Sequence, residues 1–241
     1  MIRLFIDTVW RLLLVQGSRS ARLHDGLGFL HVMMPAIRRA TPDVKGRAAL
    51  VRRYAGYFNA STFMVPYIAG ALGRMELDRS SGGGDPERIE RVREALCSAL
   101  TARGEYLAEV VLLPLTLTIG SLCAMYSWYI GPVAFLLLHN LYNCMVRTGG
   151  YRTGLHLGEH TGRILAAGPF GRQRLLGGLA AFAAGLFAVF AVAHALRFGG
   201  ARIAGSGAAL IAVSALVGKR FSALPAAAIL LAAAGIYLAV W

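Results

Sequence analysis

The sequence predicts an all-α integral membrane protein, with amphipathic cytoplasmic or interfacial helices followed by a bundle of about five membrane segments. Three observations carry this. Hydrophobic residues make up 56% of the 241 and charged residues only 15%, where a soluble domain averages about a quarter charged. Ten of the twelve acidic residues lie at or before Glu105, and none follows Glu159. Apolar runs near the length of a bilayer core recur only after Glu109. The chain therefore divides into a basic, helical front part, 1–105, and an apolar helical membrane part, 106–241.

Residues 2–15 read as an amphipathic helix, with Ile2, Phe5, Ile6, Val9, Trp10 and Leu13 near one face. Asp7 and Arg11, four apart, are placed to pair on the other. Such a helix either lies in the headgroup layer or docks onto a partner. After a Gly- and Ser-containing break, Leu27 to Ile37 is apolar and ends in Arg38 and Arg39. Thr41-Pro42-Asp43 is a helix start, with Thr41 as capping hydroxyl and Pro42 in the first turn. That helix runs to about Phe58. Phe63 to Met75 is apolar but interrupted by Pro66, Gly70 and Gly73, which leaves a re-entrant segment or a buried hairpin open. Residues 80–84 form a flexible linker, and Asp85-Pro86-Glu87 starts the next helix.

Past Glu109, Val110–Tyr126 and Tyr129–Val146 are two apolar segments joined by an uncharged Ser127-Trp128 corner. A basic loop, 147–174, carries five Arg against one Glu. Leu175–Leu196, Ile203–Gly218 and Ala223–Trp241 follow as spans, the middle one short and rich in small residues that let helices approach closely. The positive-inside rule puts the front part, the 147–174 loop and Lys219-Arg220 on the cytoplasmic side, leaving Arg197 and Arg202 outside.

The net charge of +13 does not point to nucleic acid, because the basic residues are spread over helix faces and short loops. Beside membrane segments they are anchors to anionic headgroups. Cys97, Cys123 and Cys144 form no CxxC pair, which favours buried thiols over a disulfide framework or zinc. The first apolar run, Leu4 to Val15, carries Asp7 and Arg11, unlike the apolar region of a signal peptide.

Two stretches of the front part resemble the IID subunit of mannose, fructose and sorbose phosphotransferase permeases. One runs from Val9-Trp10-Arg11 through Gln16, Gly26-Leu27-Gly28-Phe29 and Pro35-Ala36-Ile37-Arg38-Arg39. The other runs from Arg52-Arg53-Tyr54 through Tyr57-Phe58-Asn59 and Pro66-Tyr67-Ile68-Ala69-Gly70. Further on, Gly131-Pro132 to Phe135-Leu136, Asn140, and Gly150-Tyr151 to Gly154 are similar to the family's GP-x-LF, N and GY-x-x-G series. The resemblance implies a bacterial inner-membrane, multi-pass permease subunit with a cytoplasmic N-terminal part and no cofactor. It also implies a hetero-oligomer with a IIC subunit, served by IIA and IIB proteins that carry the phosphoryl group, acting on a hexose or amino sugar. The family's M-G-P-L-A-G-I-G-D-S run is replaced here by residues 97–106, which keep one glycine as Gly104 and an acidic residue as Glu105 but lose the other glycines and the proline. That departure defines the rival expectation, a non-transporting scaffold or sensor built on the same fold.

Candidate contacts to substrate or partner follow. Glu105 and Glu109 lie at the mouth of the apolar hairpin, where a mid-bilayer carboxylate would cost roughly 2.5–3.5 kcal/mol. They either face protein or sugar, or sit in the headgroup zone at a helix end. Gly104 and Asn59 match the family pattern. His139, Asn140 and Asn143 put polar groups within one turn of an apolar span, where interhelical hydrogen bonds are the ordinary outcome. His156-Leu157-Gly158-Glu159-His160 fits the H-x-x-E-H pattern of inverted zinc peptidases. No acidic third ligand follows it, so no metal site is assigned. Gly26-Leu27-Gly28 lacks the strand and third glycine of a dinucleotide site, and no catalytic residue is expected.

Overall fold

A computed structural model describes residues 2–167 and, beyond them, 175, 177–183 and 185. The described residues are helical, without a β-strand, and those up to 181 form one compact unit.

Helix α1 (Ile2–Leu12) turns Leu4, Thr8 and Leu12 inward, one per turn. The predicted apolar face splits. Phe5 and Val9 pack on the core, while Ile2, Ile6, Trp10 and Leu13 face outward, Trp10 68% exposed. The helix is apolar around most of its circumference, and only one side can meet α2 and α7. Asp7 and Arg11 pair at 2.9 Å.

Helix α2 (Gly26–Ala40) crosses the chain closely. A Cβ on Gly28 would lie 2.7 Å from the Val15 carbonyl carbon, and one on Gly26 would collide with Gly56. Close backbone approach is therefore the use of this glycine pair. The Thr41 N–H closes α2 by bonding Ile37 O at 3.0 Å, and Thr41 is extended, as a residue before proline prefers. The start of α3 (Val44–Tyr54) consequently shifts from Thr41 to Asp43, whose carboxylate accepts from Gly46 N at 2.9 Å.

Phe63 to Met75 is not a hairpin. It forms one buried helix, α4 (Val65–Ser80), with Pro66 in the first turn where its missing N–H costs nothing. This helix touches α2, α5 and α7. Its glycines serve packing: a Cβ on Gly70 would lie 2.9 Å from Gly154 Cα. Stacked Phe29 and Phe58, with ring centroids 3.7 Å apart, fill the space between α2 and the end of α3.

Asp85 caps α5 (Pro86–Glu105) by accepting from Glu87 N at 3.0 Å. The helix continues without a break through a π-helical segment, Tyr106–Leu112, into α6 (Leu113–Tyr126). The last π bond runs from Leu113 N–H to Ala108 O, one residue before Pro114. Proline has no N–H to donate and its ring crowds the carbonyl four residues back, so the α pattern cannot pass through it unaltered. Residue 105, the boundary expected from composition, falls where α5 meets this segment.

Helix α7 (Ile130–Leu157) packs along α6 with its first half and along α4 with its second. The stretch read as a basic loop is accordingly helical to its middle. Residues 147–157 complete α7, Gly158–His160 make a 3₁₀ turn, and Thr161–Ala167 form α8. Gly150 and Gly154 hold it there by seating α7 against α4. The expected spans at Leu175–Leu196, Ile203–Gly218 and Ala223–Trp241 lie outside the described residues, apart from the helical stretch 177–183.

Candidate functional site

The expected contact residues fall in separate places: Asn59 on the α3–α4 linker at 59–64, Gly104 and Glu105 at the end of α5 beside it, and His139, Asn140 and Asn143 along α7. Gly104 is buried against the linker: a Cβ there would lie 2.5 Å from Ser61 Oγ and 2.6 Å from Met64 Cγ. Asn59 is a half-buried member of the same linker. Phe63 turns its ring to Tyr142 of α7 at 6.0 Å, and Thr62 Oγ1 accepts from Gln16 Nε2 at 2.6 Å. The linker thus touches the end of α5, the middle of α7 and the segment after α1.

Beside it, Leu107 and Leu112 are both buried, five residues apart. That spacing is the repeat of the i→i+5 bond, so the widened turn keeps both leucines on the core side. Glu105 and Glu109 are turned outward, and neither makes a hydrogen bond or ion pair with another described residue. Both carboxylates are therefore available to a partner or solute at the hairpin base.

On α7 the polar groups serve their own helix. Asn140 Nδ2 donates to Leu136 O at 2.8 Å and Asn143 Nδ2 to His139 O at 3.0 Å. His139 stacks on Phe135, with its Nδ1 buried and unbonded. These side chains make no hydrogen bond to Glu105; Phe63 of the linker reaches their helix at Tyr142.

The least exposed carboxylate was not legible in the sequence. Glu76 is 0% exposed. Its Oε1 accepts from Tyr54 Oη at 2.8 Å and Arg53 at 3.0 Å, and its Oε2 from Arg79 at 2.9 Å. Arg93 of α5 joins by donating to Arg53 O at 3.0 Å. Burial first, and then the Glu76 charge, push the Tyr54 hydroxyl well above its ordinary pKa, so it stays a proton donor. The cluster ties α3, α4 and α5 together. Its only local signal was Arg79, one turn after Glu76.

The H-x-x-E-H stretch ends α7 and lines a cleft of about 300 Å³ with Arg74, Asp78 and Arg88. Glu159 accepts from Arg88 at 2.8 Å, so its carboxylate is engaged by a cation. Among the described residues no three His, Cys, Asp or Glu side chains converge as metal ligands.

Lipid-like surroundings suit the hairpin. Leu117, Leu122, Leu136, Leu137 and Leu141 are exposed along it, and Trp128 and Tyr129 stand exposed at its tip. Among the described residues, the helix Pro86–Ala124 is long and apolar enough to cross a membrane.

Comparison with known proteins adds to this geometry. Residues 3–192 match the family model described as PTS system mannose/fructose/sorbose family IID component. The mannose-specific EIID component of Escherichia coli K12 is 30% identical over 147 residues, covering 60% of this chain and 52% of that protein. The sorbose-specific EIID component of Klebsiella pneumoniae is 28% identical over 146 residues, 60% of this chain and 53% of its own length. The chain thus spans about half the length of the curated relatives it matches. Among solved structures, the mannose transporter ManYZ in complex with microcin E492 aligns with a TM-score of 0.63 at 26% identity. That alignment covers 78% of this chain and 70% of the other. A second solved membrane protein aligns at 0.68 and 28% identity, over 80% and 70%.

Proposed function

Because the chain belongs to the mannose/fructose/sorbose family of phosphotransferase IID components, we propose that it is a membrane subunit of a sugar permease of this kind. In this reading it assembles with a IIC-type membrane subunit into a hetero-oligomer. IIA and IIB proteins supply the phosphoryl group, so that uptake is coupled to phosphorylation and this chain carries no catalytic residue. The solute is a hexose, as the mannose- and sorbose-specific relatives suggest, or an amino sugar.

The observation that carries the reading is the family match over residues 3–192, supported by the shape of the hairpin. From Arg147 back to Ile130, the first residue of α7, the helix climbs seventeen residues, at 1.5 Å each about 26 Å, and Trp128 and Tyr129 lie just beyond its start. The hydrocarbon core of a bilayer is about 30 Å thick. Exposed aromatics at the tip and cations at the base suit the two interfaces. The front part and the hairpin base then face the cytoplasm of a bacterial inner membrane, which the chain crosses more than once.

Glu105 and Glu109, outward-facing at that base, together with Gly104, Asn59 and the 59–64 linker, form the proposed contact surface for the partner subunit or the sugar. His139, Asn140 and Asn143 lie further along α7, where His139 Nδ1 is buried without a hydrogen-bond partner. Nothing specific in the geometry favours the scaffold or sensor alternative.

Gentle extraction of the tagged protein from its native membrane, with mass spectrometry of what co-purifies, tests the proposal. A IIC-type subunit in stoichiometric amount is the expected result. Soluble phosphotransferase proteins without IIC would move the assignment to the scaffold, and recovery of neither would overturn both readings.

A further inference from the structure

Helix α1 carries a second apolar face that the fold does not use. Ile2, Ile6, Trp10, Leu13 and Leu14 are between 49% and 77% exposed, while Leu4, Thr8 and Leu12 on the opposite side are buried. An amphipathic helix normally spends its one apolar stripe on the core; this one has a stripe left over.

Two further observations say what covers it. Arg147 of α7 donates to Leu12 O at 2.8 Å, and Phe5 meets the Tyr151 ring at 5.7 Å. The C-terminal end of α1 is thereby held at the level where the exposed apolar residues of α7 cease, since Met145 is 63% exposed and Arg147 follows. The other flank of α1 is cationic. Arg3, Arg38 and Arg39 line an open groove of about 320 Å³ between α1 and α2. Its one carboxylate, Asp7, is already paired with Arg11.

We propose that α1 lies in the headgroup layer, its outward stripe set into the acyl boundary and the Arg3–Arg38–Arg39 groove holding anionic phospholipid headgroups. An apolar stripe with an aromatic and a flanking row of arginines is the arrangement that binds an anionic bilayer surface. Continuity with the exposed hairpin and the sign of the groove select lipid over a second protein. The proposal rests on the membrane placement of the hairpin given above.

Photo-crosslinking in native membranes tests it with the whole assembly present. Benzoylphenylalanine placed at Ile6 is expected to yield a phospholipid adduct by mass, enriched in anionic over zwitterionic species. Arg38→Gln and Arg39→Gln should each lower that enrichment about fivefold, the equivalent of about 1 kcal/mol per arginine near the surface. The same probe at Val133, Leu137 and Leu141 reports on the hairpin independently. A protein adduct or no adduct at Ile6, with lipid adducts on the hairpin, overturns the proposal for α1 alone. Absence of lipid at all four positions removes the membrane placement as well. A lipid adduct at Ile6 without anionic preference overturns the groove.

Discussion

Gly70 of α4 and Gly154 of α7 meet backbone to backbone. A Cβ on either would lie 2.9 Å from the Cα of the other, with Leu155 N and Ala71 N at 2.8 Å. Every side chain larger than hydrogen is excluded there, and the crossing sets where the hairpin leaves the front part.

Replacing Gly154 by Val is therefore expected to separate α4 from α7. Overpacking typically costs about 1–3 kcal/mol, and because the obstructing atoms are backbone the upper end applies. Gly149, with nothing within 4 Å of its would-be Cβ, is the control. Gly149→Ala should leave the thermal midpoint of the purified protein unchanged or raised, while Gly154→Val lowers it.

Glu76 accepts from three donors in a site closed to water. Removing one partner of a buried charge cluster costs about 3–5 kcal/mol, so Glu76→Ala should be the most damaging single carboxylate change. Tyr54→Phe removes one neutral donor to a charged acceptor, for about 1.5–3 kcal/mol. Denaturant melts of the two variants and their double mutant check the ranking and the coupling, with the double mutant costing less than the sum.

His31 gives α1 a pH dependence. Burial and the Arg11 guanidinium lower its pKa, against a smaller raising effect of Asp7. Neutral His31 accepts from Arg11; protonated His31 repels it. The unfolded chain thus takes up the proton first, at its ordinary pKa of about 6.5. Stability from this contact is complete above that value and is lost as pH falls from there through the folded pKa. Hydrogen exchange of α1 amides should quicken relative to α4 as pH drops below about 6.5, after correction for intrinsic rates, and His31→Asn should flatten the difference.

Of the two outward carboxylates, Glu105 follows Gly104, the residue seated on the 59–64 linker. Glu105→Gln is expected to impair partner-dependent sugar uptake more than Glu109→Gln. Equal and negligible effects on uptake, at matched protein levels in the membrane, would remove both residues from the contact surface.

Much of the fold was readable in advance because local chemistry acts at short range. Asp85-Pro86 starts a helix wherever it stands, and Asp7 and Arg11 pair because four residues make about one turn. The misplaced features share a different cause. Thr41 has the chemistry of a cap, but its N–H is taken by Ile37 O, which only the end of α2 decides. The arginines of 147–157 bear on which side of a membrane the stretch would lie and say nothing about whether the backbone there is coiled or helical; contact with α4 makes it helical. At the candidate site, Gly104 and Glu105 were legible from their match to a family pattern. Glu76 was not, since its partners Arg53 and Tyr54 lie more than twenty residues away.

By itself the sequence determined that this is an all-helical membrane protein with a basic front part and a family-like order of motifs. Composition, periodicity and spacing are properties of a chain before it folds. Tertiary structure alone decided which of the two apolar faces of α1 is buried, which glycines are crossings, and that a carboxylate in a mostly apolar helix sits among two arginines and a tyrosine. Those outcomes depend on which surfaces compete for the same space, and a linear pattern does not record that competition.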